Sequence, residues 1–514
     1  MRPLIEHART RHTPETLAEQ LRAAPGLMLL RSDGESTDQA RYSFVVARPF
    51  LTLRTWGSQC ELRAADSQAR PSIQFGNPWN VLEQLLARYE IIDEIDLPFP
   101  LGGCFGYWGY DLKNFVEPRL RARAVNDLEL PDCAVGFYDS LAIFDHHLGK
   151  TWLVATGLTA DGSRTETRAR QQADWWHEQL ATDPTPNAEF GGTNPRVRPT
   201  SNFTREQFIA ATRRALDYIT AGDIYQVNLS QRLTAPWAGD GWEFHRALHA
   251  ASPAPFAAYL DTGDFQIASS SPERFLRLSG QHIQARPIKG TRPRDADPQR
   301  DAQLAYELQS SEKERAELVM ITDLLRNDLG RVCEFGSIAV PELMRLEKFP
   351  QVQHLVSTVE GRLRPELSHL GALRECFPGG SITGAPKFRA MEIIDELEPV
   401  TRGPYTGSLG YLGFNRESQF NIAIRTAIVR EGQVHFQVGA GIVADSDPEM
   451  EYEETLAKAG GFVEALSLTT ETQRAQREIE RHSHSSVFSG VQSHCFFVRN
   501  VDDARDETRA FGRS

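Results

Sequence analysis

The chain has 514 residues, with 56 Lys and Arg against 69 Asp and Glu, a formal charge of −13, 40% hydrophobic residues and 24% charged. This composition suits an ordinary globular protein with a sizeable core, arranged as two or three domains or one large intertwined one. The acidic balance excludes a general nucleic-acid or anionic-membrane surface and still allows a local basic pocket for an anionic small molecule.

The first residues, MRPLIEHARTRHT, hold no apolar run like that of a signal peptide, and no run of 18 apolar residues occurs. A cytoplasmic location is therefore expected. Cys60, Cys104, Cys133, Cys333, Cys376 and Cys495 are scattered without a CxxC pair. They read as structural thiols, not as a zinc ribbon or a disulfide scaffold.

Residues 1–181 alternate short apolar runs with turns, as at Gly26–Leu30, Tyr42–Val46, Val135–Tyr138 and Trp152–Ala155, and are expected to be strand-rich. Within them Pro98–Leu112 sets glycines between aromatics, which suggests close backbone approach inside a sheet. Residues 182–202 turn rich in Pro, Thr, Asn and Gly and read as a linker. The region 203–469 opens on a helix capped by Thr204, with Gln207 completing a capping box. Residues 470–514 are polar and charged and are expected to be disordered and not catalytic.

The chemistry-bearing residues lie in 203–469. Glu273, in Ser271-Pro272-Glu273-Arg274, stands sixteen residues before Lys289, beyond an intervening hairpin that can bring the two together as acid and amine. Pro287-Ile288-Lys289-Gly290-Thr291 reads as a tight loop after the strand at His282–Ala285, because proline fixes φ and glycine frees it. A lysine pinned in such a turn and turned into a partly desolvated pocket is a nucleophile; turned outward, it is a solvated loop residue.

Asp301–Leu329 has the pattern of one long amphipathic helix, with Glu314 and Glu317 on one face. A second helix, starting near Pro448, carries Glu451 and Glu454 at the same spacing and Lys458 a turn further. Two facing Glu-x-x-Glu pairs suit a hard divalent cation, whereas a di-iron bundle would need Glu-x-x-His.

Gly379–Lys387 is a glycine-rich loop leading into a helix at Phe388–Leu397. It lacks the Lys-Ser/Thr of a phosphate-binding loop, so a carboxylate is the better guest. Gly439-Ala440-Gly441 follows a strand at Val434–Val438, but too little chain remains for a dinucleotide-binding unit. Close approach of backbone to a ligand is the better use of those glycines. Arg326, Tyr405 and Arg425 are polar groups in apolar settings. Arg425, expected on an apolar strand at Phe420–Val429, calls for a carboxylate from protein or substrate.

Six ordered segments together resemble the chorismate-utilising enzymes: SPERF (Ser271–Phe275), PIKGTRPR (Pro287–Arg294), Ser311–Val332, HLVSTVEG (His354–Gly361), GGSITGAPK and Val438–Gly461. The resemblance implies an α+β fold of α/β/β/α layers with orthogonally packed antiparallel sheets. It implies Mg²⁺ held by Glu317 and Glu454, with Glu314 and Glu451 acting through water. Tyr405, Arg425, Lys458 and the backbone of Gly439, Ala440 and Gly441 would hold substrate, Ser381 and Thr291 would sit at its ring, and His354 would lie close to the chemistry; Arg326, from its own setting, is expected as a further substrate contact.

Within the family, isochorismate and salicylate synthases carry a lysine base where this chain has Gln226, and anthranilate synthases read Pro-Ile-Ala-Gly-Thr. Aminodeoxychorismate synthases read Pro-Ile-Lys-Gly-Thr, as here. The resemblance therefore implies amination of chorismate at ring carbon 4 through a covalent Lys289 intermediate, with Glu273 as acid. No Gly-x-Cys-x-Gly nucleophile elbow of a class I glutaminase is read anywhere in the chain, so ammonia is expected from solution or from a separate glutamine amidotransferase subunit.

Overall fold

Period-two burial marks strands such as Leu51–Trp56, where alternate residues are buried and half-buried, while Gly103–Trp108 is buried at every position. Such a strand needs a covered face, and the chain supplies it by packing two sheets together. The computed structural model describes residues 2–32, 41–65, 70–91, 97–121, 123–184, 198–349 and 352–468. The sequence-level tail at 470–514 and most of the linker lie outside the described residues.

Each sheet is 12-stranded, and every pairing between its strands is antiparallel. Both sheets draw strands from either side of residues 182–202. In the first sheet Met28–Arg31 pairs with Phe256–Asp261, with Leu29 opposite Tyr259. In the second, Gly103–Trp108 pairs with Ser408–Gly413, with Gly106 opposite Gly410. Both glycines are required by the strands outside that seam: a Cβ on Gly106 would stand 2.2 Å from the Ala134 carbonyl oxygen, and one on Gly410 would stand 2.0 Å from that of Gln419.

Between the sheets lies an aromatic core that includes Phe44, Phe105, Tyr107, Ile143 and Tyr411. Helices cover the outer faces. Pro78–Tyr89, Glu312–Gly330 and His369–Cys376 pack on the second sheet; Gly241–Ala251 and Gly460–Ser467 pack on the first, as do Arg205–Thr220 and Lys387–Leu397 further along. The result is the α/β/β/α order expected from sequence. No helix among the described residues is long and apolar enough to cross a membrane.

Three local readings change. The helix expected over 301–329 is two, Pro298–Ser310 and Glu312–Gly330, because Ser311 leaves helical backbone and caps the second through the amide of Glu314. Lys289 lies in a strand, Ile288–Pro293, and not in a free turn. Its pairing with Val352–Arg362 slips between Lys289 and Thr291, where Gly290 takes φ +73°, so the glycine makes a bulge. Arg425 lies in the connection between the strands Glu417–Asn421 and Thr426–Arg430, at φ +48°.

Candidate active site

A cavity of ≈ 230 Å³ opens between the strands of the first sheet and the end of the second. Its floor comes from two neighbouring strands. Gln226 and Asn228 alternate with Val227 and Leu229, which turn into the core on the other side. Opposite them, Gln437, Gly439 and Gly441 line the cavity, while Ala440 is wholly buried in that same core. Strand alternation thus separates the two glycines from the alanine between them. A Cβ on Gly441 would stand 2.6 Å from Gln226 Nε2, so a side chain there would have to displace the Gln226 amide.

Glu273 and Lys289 both reach this cavity, from the outer ends of the hairpin Arg274–Ser279/His282–Arg286. Burial pushes the Glu273 carboxyl up to about 7, against a hydrogen bond from Ser381 and the charge of Lys289. Ser381 Oγ donates to Glu273 Oε1 at 2.8 Å. Near neutrality this carboxyl can hold a proton and release it, as a general acid must. Lys289 Nζ lies 3.4 Å from Glu317 Oε2 and is mostly covered.

His354 faces Thr291 across the bulge, with Nδ1 3.0 Å from Thr291 Oγ1 and 3.3 Å from the Gly290 carbonyl. A carbonyl only accepts, so Nδ1 carries the hydrogen and Nε2 is the acceptor. Burial pushes His354 down to about 4, which keeps the imidazole neutral.

The cationic side of the cavity is Arg425 and Lys458, with Tyr405 beside them. Arg425 has no carboxylate within ion-pair distance among the described residues, and burial pushes its guanidinium down. A largely buried cation without a protein anion suits a substrate carboxylate. Lys458 Nζ donates to the Gly439 carbonyl at 2.9 Å and pairs with Glu454 at 2.7 Å.

Behind the floor, buried Arg402 pairs with Glu398 at 2.7 Å and donates to the carbonyls of Asn228 and Ile382. Glu398 in turn accepts from the Ser230 amide and hydroxyl. This pair ties the floor strand to the Gly379–Lys387 loop.

One of the expected side chains lies elsewhere. Arg326 is more than half exposed on Glu312–Gly330 and pairs with Asp323 at 2.6 Å, so it does not line the cavity. Ala440 turns its side chain into the core, whereas the expectation concerned its backbone. Conversely, Gln226, Asn228 and Gln437 line the cavity without having been singled out as ligands. Gln226 Oε1 and Gln437 Oε1 are buried with no partner among the described residues. Polar residues at i and i+2 in otherwise apolar strands are the signal that points to them.

The four carboxylates stand beside the cavity. A Cβ on Gly290 would lie 3.1 Å from Glu314 Oε2, which puts that carboxylate against the lysine bulge. Burial and then the Glu317 charge push Glu314 up; burial pushes Glu451 up too, with Glu454 adding to it and a Ser446 hydrogen bond opposing. Burial also opposes ionisation of Glu454, but Lys458, Lys313 and Lys289 outweigh it and hold that carboxyl low.

Among the described residues no three acidic, His or Cys side chains gather into a metal cluster. The donor set nevertheless fits a hard divalent cation. Carboxylate pairs press their own neighbours toward protonation, and Glu451 Oε2 is buried without a partner.

Gly102-Gly103-Cys104-Phe105-Gly106 does satisfy the letters Gly-x-Cys-x-Gly of a glutaminase elbow, an instance the sequence reading passes over. Cys104 is wholly buried within the strand Gly103–Trp108, and burial pushes its thiol well above the ordinary range. It is no accessible nucleophile.

Comparison with known proteins follows this geometry. The family described as chorismate binding enzyme matches residues 36–464. Aminodeoxychorismate synthase component 1 of Escherichia coli is 44% identical over 444 residues, 86% of this chain and 93% of that protein. Anthranilate synthase component 1 of Thermus thermophilus is 45% identical over 373 residues, 73% of this chain and 79% of that protein. The crystal structure of anthranilate synthase component I from Streptococcus pneumoniae superposes with a TM-score of 0.73 at 31% identity, covering 84% of this chain and 93% of that one.

Proposed function

The chain belongs to the chorismate-binding enzyme family, and from that premise we propose that it is the synthase component that converts chorismate and ammonia to 4-amino-4-deoxychorismate. Overall similarity does not choose among branches, since 44% and 45% identity fall on relatives of two different names. The observation that carries the reading is local: an amine at Lys289 and a raised carboxyl at Glu273 front the same cavity.

Chorismate is a dianion. Arg425 and Lys458, with the Gly439 and Gly441 backbone, hold its carboxylates, and Tyr405 closes that side. Fixing the ring removes translational and rotational freedom that the reaction would otherwise lose at the transition state. Lys289, as the free amine, attacks ring carbon 2. Both ring double bonds shift along the conjugated system and the 4-hydroxyl departs as water, taking its proton from Glu273. Ammonia then adds at carbon 4, the double bonds shift back, and the Lys289 amine leaves from carbon 2. Two displacements replace one difficult substitution. Glu314, Glu317, Glu451 and Glu454 would hold Mg²⁺, which supplies charge neutralisation for a bound carboxylate.

That the relatives are named component 1 supports a second subunit, and a glutamine amidotransferase is the partner that delivers ammonia. The reading places the chain in the cytoplasm, in supply of 4-aminobenzoate for folate. The test is to incubate the protein with chorismate, ammonium and Mg²⁺, with and without an aminodeoxychorismate lyase. 4-Aminobenzoate formed only with the lyase supports the assignment; fluorescent anthranilate without it overturns the assignment in favour of an anthranilate synthase.

Glu317→Gln and Glu454→Gln test the carboxylate set. Each is expected to lower kcat roughly 100-fold or more and to raise the Mg²⁺ concentration for half-maximal turnover, because a charge-bearing ligand is worth several kcal/mol. An unchanged Mg²⁺ titration in both variants would remove these residues from the metal site.

A further inference from the structure

The short turn Tyr110–Leu112 follows a strand of the N-terminal region, yet it lies against the loop that carries Tyr405. The Tyr110 amide donates to the Gly403 carbonyl at 2.7 Å, and Asp111 Oδ2 accepts from the Gly403 amide at 2.9 Å. Contact is as close on the other side of Tyr405. A Cβ on Gly407 would stand 2.2 Å from the Trp108 carbonyl oxygen and 2.9 Å from Gly109 Cα.

The Tyr110 side chain goes further in. It is 1% exposed and joins the core beneath the cavity floor, with Val227, Leu229 and Ala440. Among the described residues it is the one member of that core from residues 1–181. Two cations stand over its ring, Lys113 Nζ and Arg402 Cζ, each 4.8 Å from the centroid. Lys113 is matched by Asp395 at 3.1 Å. The Tyr110 hydroxyl is buried with no hydrogen-bond partner among the described residues. What meets Arg402 is therefore the negative face of the ring, and a desolvated contact of that kind is a strong one.

Several parts of the site converge on Arg402. Besides pairing with Glu398, it donates to the Asn228 carbonyl at 2.7 Å, the Ile382 carbonyl at 3.1 Å and Thr406 Oγ1 at 3.2 Å. Asn228 belongs to the cavity floor. Ile382 follows Ser381, whose hydroxyl donates to Glu273. Thr406 follows Tyr405 and sits at φ +59°, a strained setting for a β-branched residue that its surroundings must enforce. These acceptors fix the edge of the guanidinium; its faces meet the rings of Tyr110 and, at 5.7 Å, Tyr405.

We propose that Tyr110 is a positioning residue for the reaction: its ring holds the plane of Arg402, and through it the Ser381–Glu273 contact, the Asn228 floor and the Tyr405 loop. A side chain of similar volume without a π face would fill the core and leave the guanidinium free to tilt. The proposal rests on the reaction proposed above, in which Glu273 is the acid.

The experiment compares, in the full chain, Tyr110→Phe with a ring-fluorinated phenylalanine at the same position. Both keep nearly the shape of the ring, and fluorine withdraws its π density. Tyr110→Phe is expected to stay within about 2-fold of the wild-type kcat, and the fluorinated ring to lower kcat about 10-fold with KM for chorismate little changed. Besides burial, Glu273 responds to the Ser381 hydrogen bond and the charge of Lys289, both of which hold its carboxyl down. Loosening the Ser381 contact should thus move the alkaline limb of kcat/KM to higher pH in the fluorinated variant alone. Equal kcat and equal limbs in the two variants would show that the ring only fills space and would overturn the proposal. A large loss in Tyr110→Phe would give the role to the hydroxyl and overturn it too. If the wild type forms no 4-amino product, the proposed reaction fails separately. Crystal structures of the two variants then decide on Tyr110, by whether fluorination displaces Arg402 and lengthens the Ser381–Glu273 contact.

Discussion

Replacing Lys289 by alanine is expected to lower kcat for formation of the 4-amino product by about 1,000-fold or more, with the Kd for chorismate changed only a few-fold. The split follows from the geometry. Substrate carboxylates are assigned to Arg425, Lys458 and the glycine backbone, none of which the substitution touches, so ground-state binding survives. What is lost is the covalent route, and 1,000-fold corresponds to about 4 kcal/mol of transition-state stabilisation. The fold should survive too, because Lys289 sits in a bulged strand and its one ion pair, with Glu317, is partly open to solvent. Under turnover, intact mass of the wild-type chain should show an adduct equal to chorismate less water, on Lys289 and absent from Lys289→Ala. Any residual amination in the variant should move to ring carbon 2, where the shortened side chain leaves space for ammonia. A variant that keeps a tenth of the wild-type rate to the 4-amino product, or an adduct on another residue, would overturn the nucleophile assignment.

Much of this site was legible because chemistry-bearing residues in short motifs keep their meaning wherever the chain carries them. Glu273, Ser381, Lys289, Tyr405 and Arg425 were named from motif and context, and the sheets bring all five to one cavity. The capping box at Thr204 and Gln207 is present as read, since a cap is a local interaction. The errors arose where long-range pairing decides. Lys289 read as a loop because Pro and Gly flank it, but a partner strand at Val352–Arg362 captures the segment and turns the glycine into a bulge.

The helix through Ser311 read as continuous because its apolar period runs on, while a single serine cap ends it. Arg326 was grouped with the site by its unusual setting, yet helix phase points it outward to Asp323. Least legible were the supports. Nothing local in the sequence announces that Arg402 and Glu398, four residues apart, bind backbone of two distant segments. The seam of each sheet, which joins strands more than 200 residues apart, was likewise invisible to periodicity.

Glu273→Gln should cost about 100- to 10,000-fold in kcat, the range for losing a general acid, and should change the shape of the pH profile as well as its height. In the wild type the acid must be protonated, and its carboxyl is pushed up to about 7 chiefly by burial. The kcat/KM profile is therefore expected to fall above roughly pH 7 with a slope of one proton, and this limb should vanish in the variant. Gln keeps a side-chain carbonyl for the hydrogen bond from Ser381, so lost positioning alone would leave the limb in place.

Stability carries the opposite sign. A carboxyl whose folded value lies above its unfolded one holds more protons in the folded state between about pH 4.5 and 7, so it contributes most below that window and the contribution is lost as pH rises through it. The loss is on the order of 3 kcal/mol. Glu273→Gln removes it, and the variant should thus be more stable than the wild type at pH 8 and no more stable at pH 4. A less active, more stable enzyme at pH 8 would show that Glu273 is kept buried for its chemistry at a cost to the fold. An alkaline limb unchanged in the variant would mean another group donates the proton.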